Sequence, residues 1–440
     1  APNKNGVVTV EKEYDKDKRV SRMFYRDENN QPMLYSRLEA FGETNEYDEQ
    51  GRLIVNTRID VDGNAMVGAS GWSSAEYTYD AQNHRISERY FDANGEPCLN
   101  NGNYWGVDKA YDESGNVIRE TYYTLEGNVG PNKSGVIIVE KEYNADKKVI
   151  LQRYLDAQGE AMPVNGVYQL SQDYDEAGNM NLETVLDAEG NPALNPAGWC
   201  RHAIVFDENR NKVSERYADI DGNPCLLNGD YSGIDRVFDD GKRVIKETYY
   251  DASGEVGPNK SDITIRETDY DEEGHAAELR YYDAEGNPTM PSSIGAHAEF
   301  RAYDDNGNVI RESYFDIELK PIANKNGIIT VEREYNADKK AVRVFYRDGD
   351  GSPMVNEKLG ACGEANEYDD QGNVTVNTRI DANGNPTTGA NGWSRAEYTY
   401  DEVKHRIGER YYDTEGSNCL MDGNYWGVDK AYDESGNVIR

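Results

Sequence analysis

Two pairs of aspartates are the residues of this sequence best suited to bind a metal ion. Asp60 and Asp62, and likewise Asp219 and Asp221, stand in Asp-x-Asp-Gly-Asn stretches. These resemble the opening of a calcium-binding loop, where alternating carboxylates meet a hard cation. Neither stretch supplies the later acidic residue that completes an EF-hand loop, and a turn capped by its first aspartate explains the same residues. Calcium is therefore the one cofactor that the sequence suggests, and a turn without metal is the other interpretation.

The five tryptophans suggest recognition of sugars. Each lies six or seven residues before a recurring aromatic position, and they are Trp72, Trp105, Trp199, Trp393 and Trp426. Flat rings in a row can stack on the faces of sugars, so an exposed glycan-binding row is one prediction. Core packing is the other, because only 37% of the residues are hydrophobic and the same rings are needed to fill a core.

Catalysis finds little support in the remaining reactive residues. None of the five histidines stands beside a candidate nucleophile, and the sequence has no GxSxG, HExxH, Walker or CxxC motif. The five cysteines occupy positions where other repeats carry Met, Ala or an aromatic residue, which predicts buried, unpaired thiols. We expect no catalytic residues and no enzymatic activity.

Charge and hydropathy exclude two classes of partner. The chain carries 82 acidic and 47 basic residues, a net charge of −35, and such a surface disfavours binding to a phosphate backbone. No apolar run approaches the roughly 20 residues of a membrane-spanning helix. We therefore expect neither a nucleic-acid partner nor insertion into a membrane.

One motif recurs along the whole sequence. An aromatic residue followed by Asp or Asn returns fourteen times at intervals of 31 to 33 residues. We call this aromatic residue the anchor of its unit. The anchors are Tyr14, Tyr47, Tyr79, Tyr111, Tyr143, Tyr174, Phe206, Phe238, Tyr270, Tyr303, Tyr335, Tyr368, Tyr400 and Tyr432.

Each unit has the signals of a β-hairpin. In the third unit, residues 72–80 and 86–92 are rich in aromatic residues and in alternating polar and apolar residues, which predicts two strands. The turns follow an Asp-x-x-Gly pattern. In the turn after Tyr111, the carboxylate of Asp112 is expected to cap the backbone, and Gly115 takes the left-handed position.

These signals predict an all-β fold of tandem antiparallel β-hairpin repeats of about 32 residues. A single hairpin cannot offset its ordering entropy. We expect the hairpins to stack into an elongated or superhelical, solenoid-like β-sheet array, in which each unit covers the apolar face of the last. Tyrosine rings, in place of an aliphatic interior, are predicted to supply the buried area.

The array is predicted to be continuous over residues 1–440, with 14 units of which the last is truncated. Because residues 102–119 recur unchanged as 423–440, we expect the chain to be a window of a longer array. Resemblance between units groups them into three four-unit modules and one two-unit module, which are approximately 1–132, 133–259, 260–323 and 324–440.

Charge pairs recur on the second strand of each unit. Examples are Glu88 with Arg89 and Arg119 with Glu120. Neighbouring strands could arrange such residues as cross-strand ladders. An ordinary solvated strand face is the alternative.

The stretch 111–119, Tyr-Asp-Glu-Ser-Gly-Asn-Val-Ile-Arg, resembles the YD repeats of bacterial RHS-type surface and toxin proteins. The resemblance implies a secreted bacterial protein built as a long spiral β-sheet and, in the RHS case, a hollow shell around a toxin. The units here are longer than those of that family. A weaker similarity, in Gly, Trp, Tyr and Asp-x-x-Gly hairpins, is to the cell-wall-binding repeats of Gram-positive surface proteins.

The function expected from these features is structural. We predict a non-catalytic bacterial protein, extracellular or on the cell surface, that serves as a stalk, filament or adhesive scaffold. Its expected partners are its own copies or neighbouring repeats in a fibre, and surface glycans if the tryptophan row is exposed. A glycan- or wall-binding module and an RHS-like encapsulating shell are the alternatives.

Overall fold

The fold is all-β, as predicted. The computed structural model describes residues 9–433 and 436–439, and within those ranges it contains 27 strands and no helix. It follows that no helix in this described part is long and apolar enough to cross a membrane. In chain order the strands are β1 (Thr9–Tyr14), β2 (Val20–Arg26), β3 (Gly42–Tyr47), β4 (Leu53–Ile59), β5 (Ser74–Tyr79), β6 (Arg85–Phe91), β7 (Gly106–Tyr111), β8 (Val117–Tyr123), β9 (Ile138–Tyr143), β10 (Val149–Leu155), β11 (Gln169–Tyr174), β12 (Met180–Leu186), β13 (Arg201–Phe206), β14 (Lys212–Ala218), β15 (Gly233–Phe238), β16 (Val244–Tyr250), β17 (Ile265–Tyr270), β18 (Ala276–Tyr282), β19 (Ala298–Tyr303), β20 (Val309–Phe315), β21 (Thr330–Tyr335), β22 (Ala341–Arg347), β23 (Gly363–Tyr368), β24 (Val374–Ile380), β25 (Arg395–Tyr400), β26 (Arg406–Tyr412) and β27 (Gly427–Asp429).

The strands belong to two compact bodies. Among the described residues, the first body comprises 9–204 and 216–227, and the second comprises 205–215, 228–433 and 436–439. Within each body a unit forms one antiparallel hairpin, as β5 and β6 do from the Ser74–Phe91 pair to the Tyr79–Arg85 pair. The second strand of a unit then pairs with the first strand of the next over three residues, as in β6 and β7. Tandem hairpins paired in chain order therefore confirm the predicted class of repeat.

The tight turn of each hairpin follows the predicted chemistry. The Oδ1 atom of Asp112 accepts hydrogen bonds from the backbone N–H groups of Ser114 (2.9 Å) and Asn116 (2.8 Å). Gly115 has φ of 79°, and the pairing register shifts by one residue between Ala110 and Tyr111. The turn is therefore an aspartate-capped turn with a β-bulge, in which the left-handed residue lets the strands close.

Side chains of each hairpin alternate between two faces. The face that carries Val107 and Tyr122, which pair across β7 and β8, we call the inner face. The opposite face, which carries Asp108 and Tyr123, we call the outer face. In each unit a second turn follows the second strand, and the chain then runs back beside that strand. In the third unit this turn follows β6, and the Cys98 N–H donates to the Tyr90 carbonyl oxygen (3.1 Å). Each unit then makes a connecting loop before its next strand.

The core lies between the inner face and these connecting loops. Tyr104, in the loop of the third unit, packs its ring against Tyr90 (centroids 6.1 Å apart) and Tyr122 (5.1 Å). Small aliphatic residues complete the layer, for example Ala75 and Val107, which are 0% and 1% exposed. The predicted interior of tyrosine in place of aliphatic residues is therefore corrected in part: among the described residues, buried alanine, valine and isoleucine outnumber buried tyrosine, and they come from both strands of the hairpins and from the loops, as Val107, Ile59 and Ala40 show.

Candidate functional site: the seams between units

The anchor tyrosine joins its own unit to the one before it. The Tyr111 hydroxyl donates a hydrogen bond to the carbonyl oxygen of Arg85, at the start of the preceding unit's second strand (2.8 Å). We call this bond the tyrosine latch. It recurs at distances of 2.8 to 3.3 Å for Tyr47, Tyr79, Tyr143, Tyr174, Tyr270, Tyr303, Tyr335, Tyr368, Tyr400 and Tyr432.

The ring of the latch tyrosine is held by the turn of the preceding unit. His84 stacks on Tyr111 with centroids 4.6 Å apart, and its Nδ1 lies 2.9 Å from the Oδ2 atom of Asp80. Arg52 takes the same position one unit earlier, with its guanidinium carbon 5.2 Å from the Tyr79 ring centroid. Histidines at this position therefore pack between a capping aspartate and the next anchor, a role that their isolated placement in the sequence did not reveal.

Lysines in the turns add a further link between units. Lys147 takes the left-handed turn position with φ of 60°, and its Nζ donates to the Ser114 carbonyl oxygen in the preceding turn (3.1 Å). Lys339 does the same with φ of 59° and a 2.9 Å bond to Asn306. A left-handed conformation costs a non-glycine residue free energy. The bond to the neighbouring turn acts against that cost.

Connecting loops are bonded to one another at the opposite end of the hairpins. The Asn101 N–H donates to the Ser70 carbonyl oxygen (2.7 Å) in the first body. In the second body the Ala390 N–H donates to Leu359 in the same way (2.7 Å). A seam that has both bonds is therefore closed at both ends of the hairpin, as well as by the three residue pairs between its two strands.

Buried charge pairs cross the seams on the inner face. Glu88 is 7% exposed, and its Oε1 lies 2.6 Å from the Nζ atom of Lys109 in the next unit. The Tyr90 hydroxyl donates to the other carboxylate oxygen (2.6 Å). Lys141 and Glu120 repeat the pair one seam later at 2.8 Å. The cross-strand ladder interpretation is thus right for these residues, and the solvated-face alternative is wrong for Glu88.

Burial opposes ionisation of these groups, and pairing reverses its effect on the carboxylate. Burial alone raises the pKa of Glu88, but the hydrogen bonds from Lys109 and Tyr90 outweigh it and bring the pKa below the usual range. Burial, with the nearby Glu120 carboxylate, raises the pKa of Tyr122 to about 12. The core tyrosines therefore stay protonated and act as donors at neutral pH.

The five tryptophans do not form one row. Three of them stand at a position seven residues before an anchor. Two of these, Trp72 and Trp393, are 8% and 4% exposed. They pack on inner-face tyrosines, and the ring centroids of Trp72 and Tyr90 lie 5.6 Å apart. Trp199 packs on Tyr217 in the same way, at 5.9 Å. The predicted exposed row is corrected here, because these rings are needed in the core.

The two tryptophans six residues before an anchor have other neighbours. Trp105 contacts Phe91 (6.1 Å between centroids) and lies 5.4 Å from the guanidinium of Arg89, both of which are outer-face side chains. Trp426 lies 5.4 Å from the guanidinium of Arg410 and is 47% exposed. Sugar recognition stays a prediction, and Trp426 is the member of the set with the most accessible ring.

The predicted calcium ligands are engaged in their own turns. The Oδ1 atom of Asp60 accepts from the N–H groups of Asp62 (2.9 Å) and Asn64 (2.8 Å). Asp219 accepts from Asp221 and Asn223 at the same distances. Among the described residues, no group of three or more His, Cys, Asp or Glu side chains is arranged to hold a metal ion. Calcium binding stays a prediction.

The cysteines follow the expected pattern. Cys200 and Cys362 are 0% and 8% exposed, while Cys98, Cys225 and Cys419 are half-buried. All five are unpaired thiols. Burial raises the pKa of the Cys98 thiol, which lowers its reactivity.

Variants of the latch test its contribution to stability. The hydroxyl of Tyr270 donates to the Val244 carbonyl oxygen (2.9 Å), and its replacement in Tyr270→Phe should cost about 1 kcal/mol. One unit earlier the anchor is Phe238, so Phe238→Tyr adds the missing donor and should stabilise its seam by a similar amount. Urea unfolding of the full chain measures both. A latch role is refuted if the two changes leave the unfolding midpoint where it was.

Comparison with known proteins gives structural similarity at low identity. No protein-family model matches the sequence, and no curated protein matches it. The TcdB2–TccC3 structure without its hypervariable carboxyl-terminal region matches 97% of this chain at 12% identity with a TM-score of 0.36. The TcdB2–TccC3–TEV structure matches 98% at 13% identity with a TM-score of 0.34. The Photorhabdus luminescens Tc holotoxin pore matches 96% at 13% identity with a TM-score of 0.26. The chain spans about a quarter of the length of these proteins, 23% to 25%.

Proposed function

We propose that this array is a non-catalytic structural scaffold of a bacterial surface or secreted protein. The observation that supports it is that similar contacts recur at successive seams. These are a tyrosine latch, three residue pairs between the adjoining strands and, at many seams, a buried charge pair or a loop-to-loop bond. Stability is then the sum of unit and seam terms, as in other repeat proteins.

The proposed location and partners are supported by the sequence of the repeats and by the contacts at the seams. The Tyr-Asp stretch at 111–119 resembles repeats of bacterial surface proteins, and this supports an extracellular or cell-surface location. Seams that fit one unit to the next support neighbouring repeats or further copies of the chain as partners in a fibre. No catalytic role is proposed.

Mechanical unfolding of the single full chain tests the scaffold. We expect stepwise release, in which each step frees one unit of about 32 residues and lengthens the chain by about 110 Å. Tyr270→Phe should lower the force of one or two steps and leave the others unchanged, because each latch acts only at its own seam. Release of the whole chain in one step, or extension without resistance, would rule out a scaffold built from independent seams.

A further inference from the structure

A row of apolar side chains is exposed along the connecting loops. Eighteen and twenty residues after the anchors, the second body presents exposed prolines and aliphatic residues, of which Met290, Val355 and Leu420 are 37%, 55% and 50% exposed. We call this set the apolar stripe. Its members include Pro288, Met290, Pro321, Pro353, Val355 and Leu420.

The stripe faces away from the core. The residue between the two positions points inward, as shown by Cys419, which packs against Trp393, Ala396 and Tyr411. The first body repeats the arrangement at Leu34 (44% exposed) and elsewhere. A chain in which only 37% of the residues are hydrophobic thus places apolar side chains in solvent once or twice in nearly every unit. Singly scattered exposed apolar residues are ordinary. Their repetition at the same two positions of nearly every unit is what singles out the stripe as a candidate interaction surface.

Spacing along the stripe follows from the hairpins. Adjacent loops are tied by backbone hydrogen bonds such as Lys325 to Ile294 (2.8 Å). Each unit contributes two strands, so equivalent side chains recur about every 9.5 Å. A polyproline II helix has three residues per turn and a rise of about 3.1 Å, which gives a repeat of about 9.3 Å. The two periods agree for the prolines, which recur in consecutive units at Pro288, Pro321 and Pro353. The larger side chains Met290, Val355 and Leu420 recur in every second unit, which is every second turn of such a helix.

Acidic turns border the stripe. Each unit's second turn lies directly before it, and exposed carboxylates stand there at Glu285, Glu318, Asp350 and Glu415. The second turn covers the positions thirteen to seventeen residues after the anchor. In the thirteen complete units, Lys320 is the only basic residue at these positions. A partner on the stripe would therefore meet negative charge at these turns, whereas the connecting loops that follow the stripe carry the exposed Lys325 and Lys358.

A partner is not expected to bind the stripe as an added β-strand. Pro288, Pro321 and Pro353 have no backbone N–H to offer an added strand. A polyproline II segment needs no backbone partner, because its own amide groups stay solvated. Side-chain contact with the stripe and charge contact with the acidic turns are the interactions that the surface can make.

We propose that the apolar stripe binds an extended polyproline II segment of another protein, with an apolar residue at every third position and basic residues between. The proposal does not depend on the mechanical role proposed above. The probe is a fluorescent peptide of about five Leu-Pro-Lys repeats, with a shuffled peptide of the same composition for comparison. Fluorescence anisotropy with the full chain should show the repeat peptide binding at least about tenfold more tightly than the shuffled one.

Substitutions on the stripe give the matching test. The triple variant Met290→Ser, Val355→Ser and Leu420→Ser should weaken binding of the repeat peptide by at least about tenfold. Equal binding by this variant and the unchanged chain, or by the two peptides, would overturn the proposal, because charge alone would then explain the association.

A control triple variant removes exposed apolar residues that lie outside the stripe in the same body. It is Val205→Ser, Val237→Ser and Val403→Ser, at positions that are 57%, 49% and 70% exposed. Affinity should change less than about twofold. A loss as large as that of the stripe variant would also overturn the proposal.

Discussion

Glu88→Ala should strongly destabilise the seam between the third and fourth units, by about 3–5 kcal/mol. The substitution leaves the ammonium of Lys109 half-buried without its 2.6 Å partner and removes the acceptor of the Tyr90 hydroxyl. Native-state hydrogen exchange should show this as a loss of protection of roughly 150- to 5000-fold in β6 and β7. Exchange is the suitable measurement because it reports the local seam within a long array.

The matched control is a charge pair on the outer face. Arg119 and Glu140 are also joined across a seam at 2.6 Å, but their side chains are 40% and 32% exposed. Solvent screens such a pair, so Glu140→Ala should cost less than about 1 kcal/mol. If the two substitutions reduce protection equally, burial of Glu88 is not what makes its pair important.

The same pair gives a pH dependence. The pKa of Glu88 is lowered in the folded protein, so its contribution to stability is complete above the unfolded value of about 4.3 and is lost as pH falls through the folded pKa. The pKa of Lys109 is raised by the same partner in spite of burial. Its contribution is complete below the unfolded value and is lost as pH rises through the folded pKa. Glu88→Ala should therefore flatten the acid limb of the stability profile of this seam.

Gly363→Ala should destabilise the protein by about 3 kcal/mol, more than the same substitution at the other glycines that stand five residues before an anchor. A Cβ on Gly363 would lie 2.1 Å from the carbonyl oxygen of Val344 on the neighbouring strand. That oxygen cannot retreat without disturbing the register in which Phe345 faces Gly363 and Val344 faces Glu364. Urea unfolding of the full chain and exchange in β22 and β23 would measure the loss.

Gly106→Ala provides the control at the equivalent strand position. There the atom nearest to an added Cβ is the Cδ of Arg89, at 2.5 Å. This side chain can shift more easily than a backbone carbonyl, although a shift weakens its bond to Asp108, so the expected cost is about 1 kcal/mol, smaller than at Gly363. Equal costs at the two positions would show that the glycines serve backbone freedom and not close approach of the strands.

Much of the local structure could be read from the amino acids. The anchors at intervals of 31 to 33 residues, the aspartate-capped turn at Asp112 and the two strands per unit all depend on contacts within a few residues. Such contacts are encoded by neighbours in the chain, and the structure confirms them. The free, buried state predicted for Cys200 and Cys362 also follows from one unit's composition.

The particular contacts at the seams could not be predicted from the sequence. The Tyr111 hydroxyl meets a carbonyl oxygen 26 residues earlier, and any residue at position 85 would provide that oxygen, so no side-chain pattern marks it. His84 looked isolated because the anchor on which it stacks belongs to the next unit. A buried glutamate in an acidic chain likewise appeared to be a surface residue until Lys109 was seen opposite it.

The sequence by itself determined the repeat, the hairpins and their turns, because these depend on residue types at short spacing. Only the tertiary structure decided which side of the sheet each aromatic ring occupies. Tyr104 and Trp105 are adjacent in the chain, yet the first packs with Tyr90 in the core and the second beside Arg89 on the outer face. Successive residues of an extended chain point to opposite sides, so a difference of one residue in register exchanges core for surface.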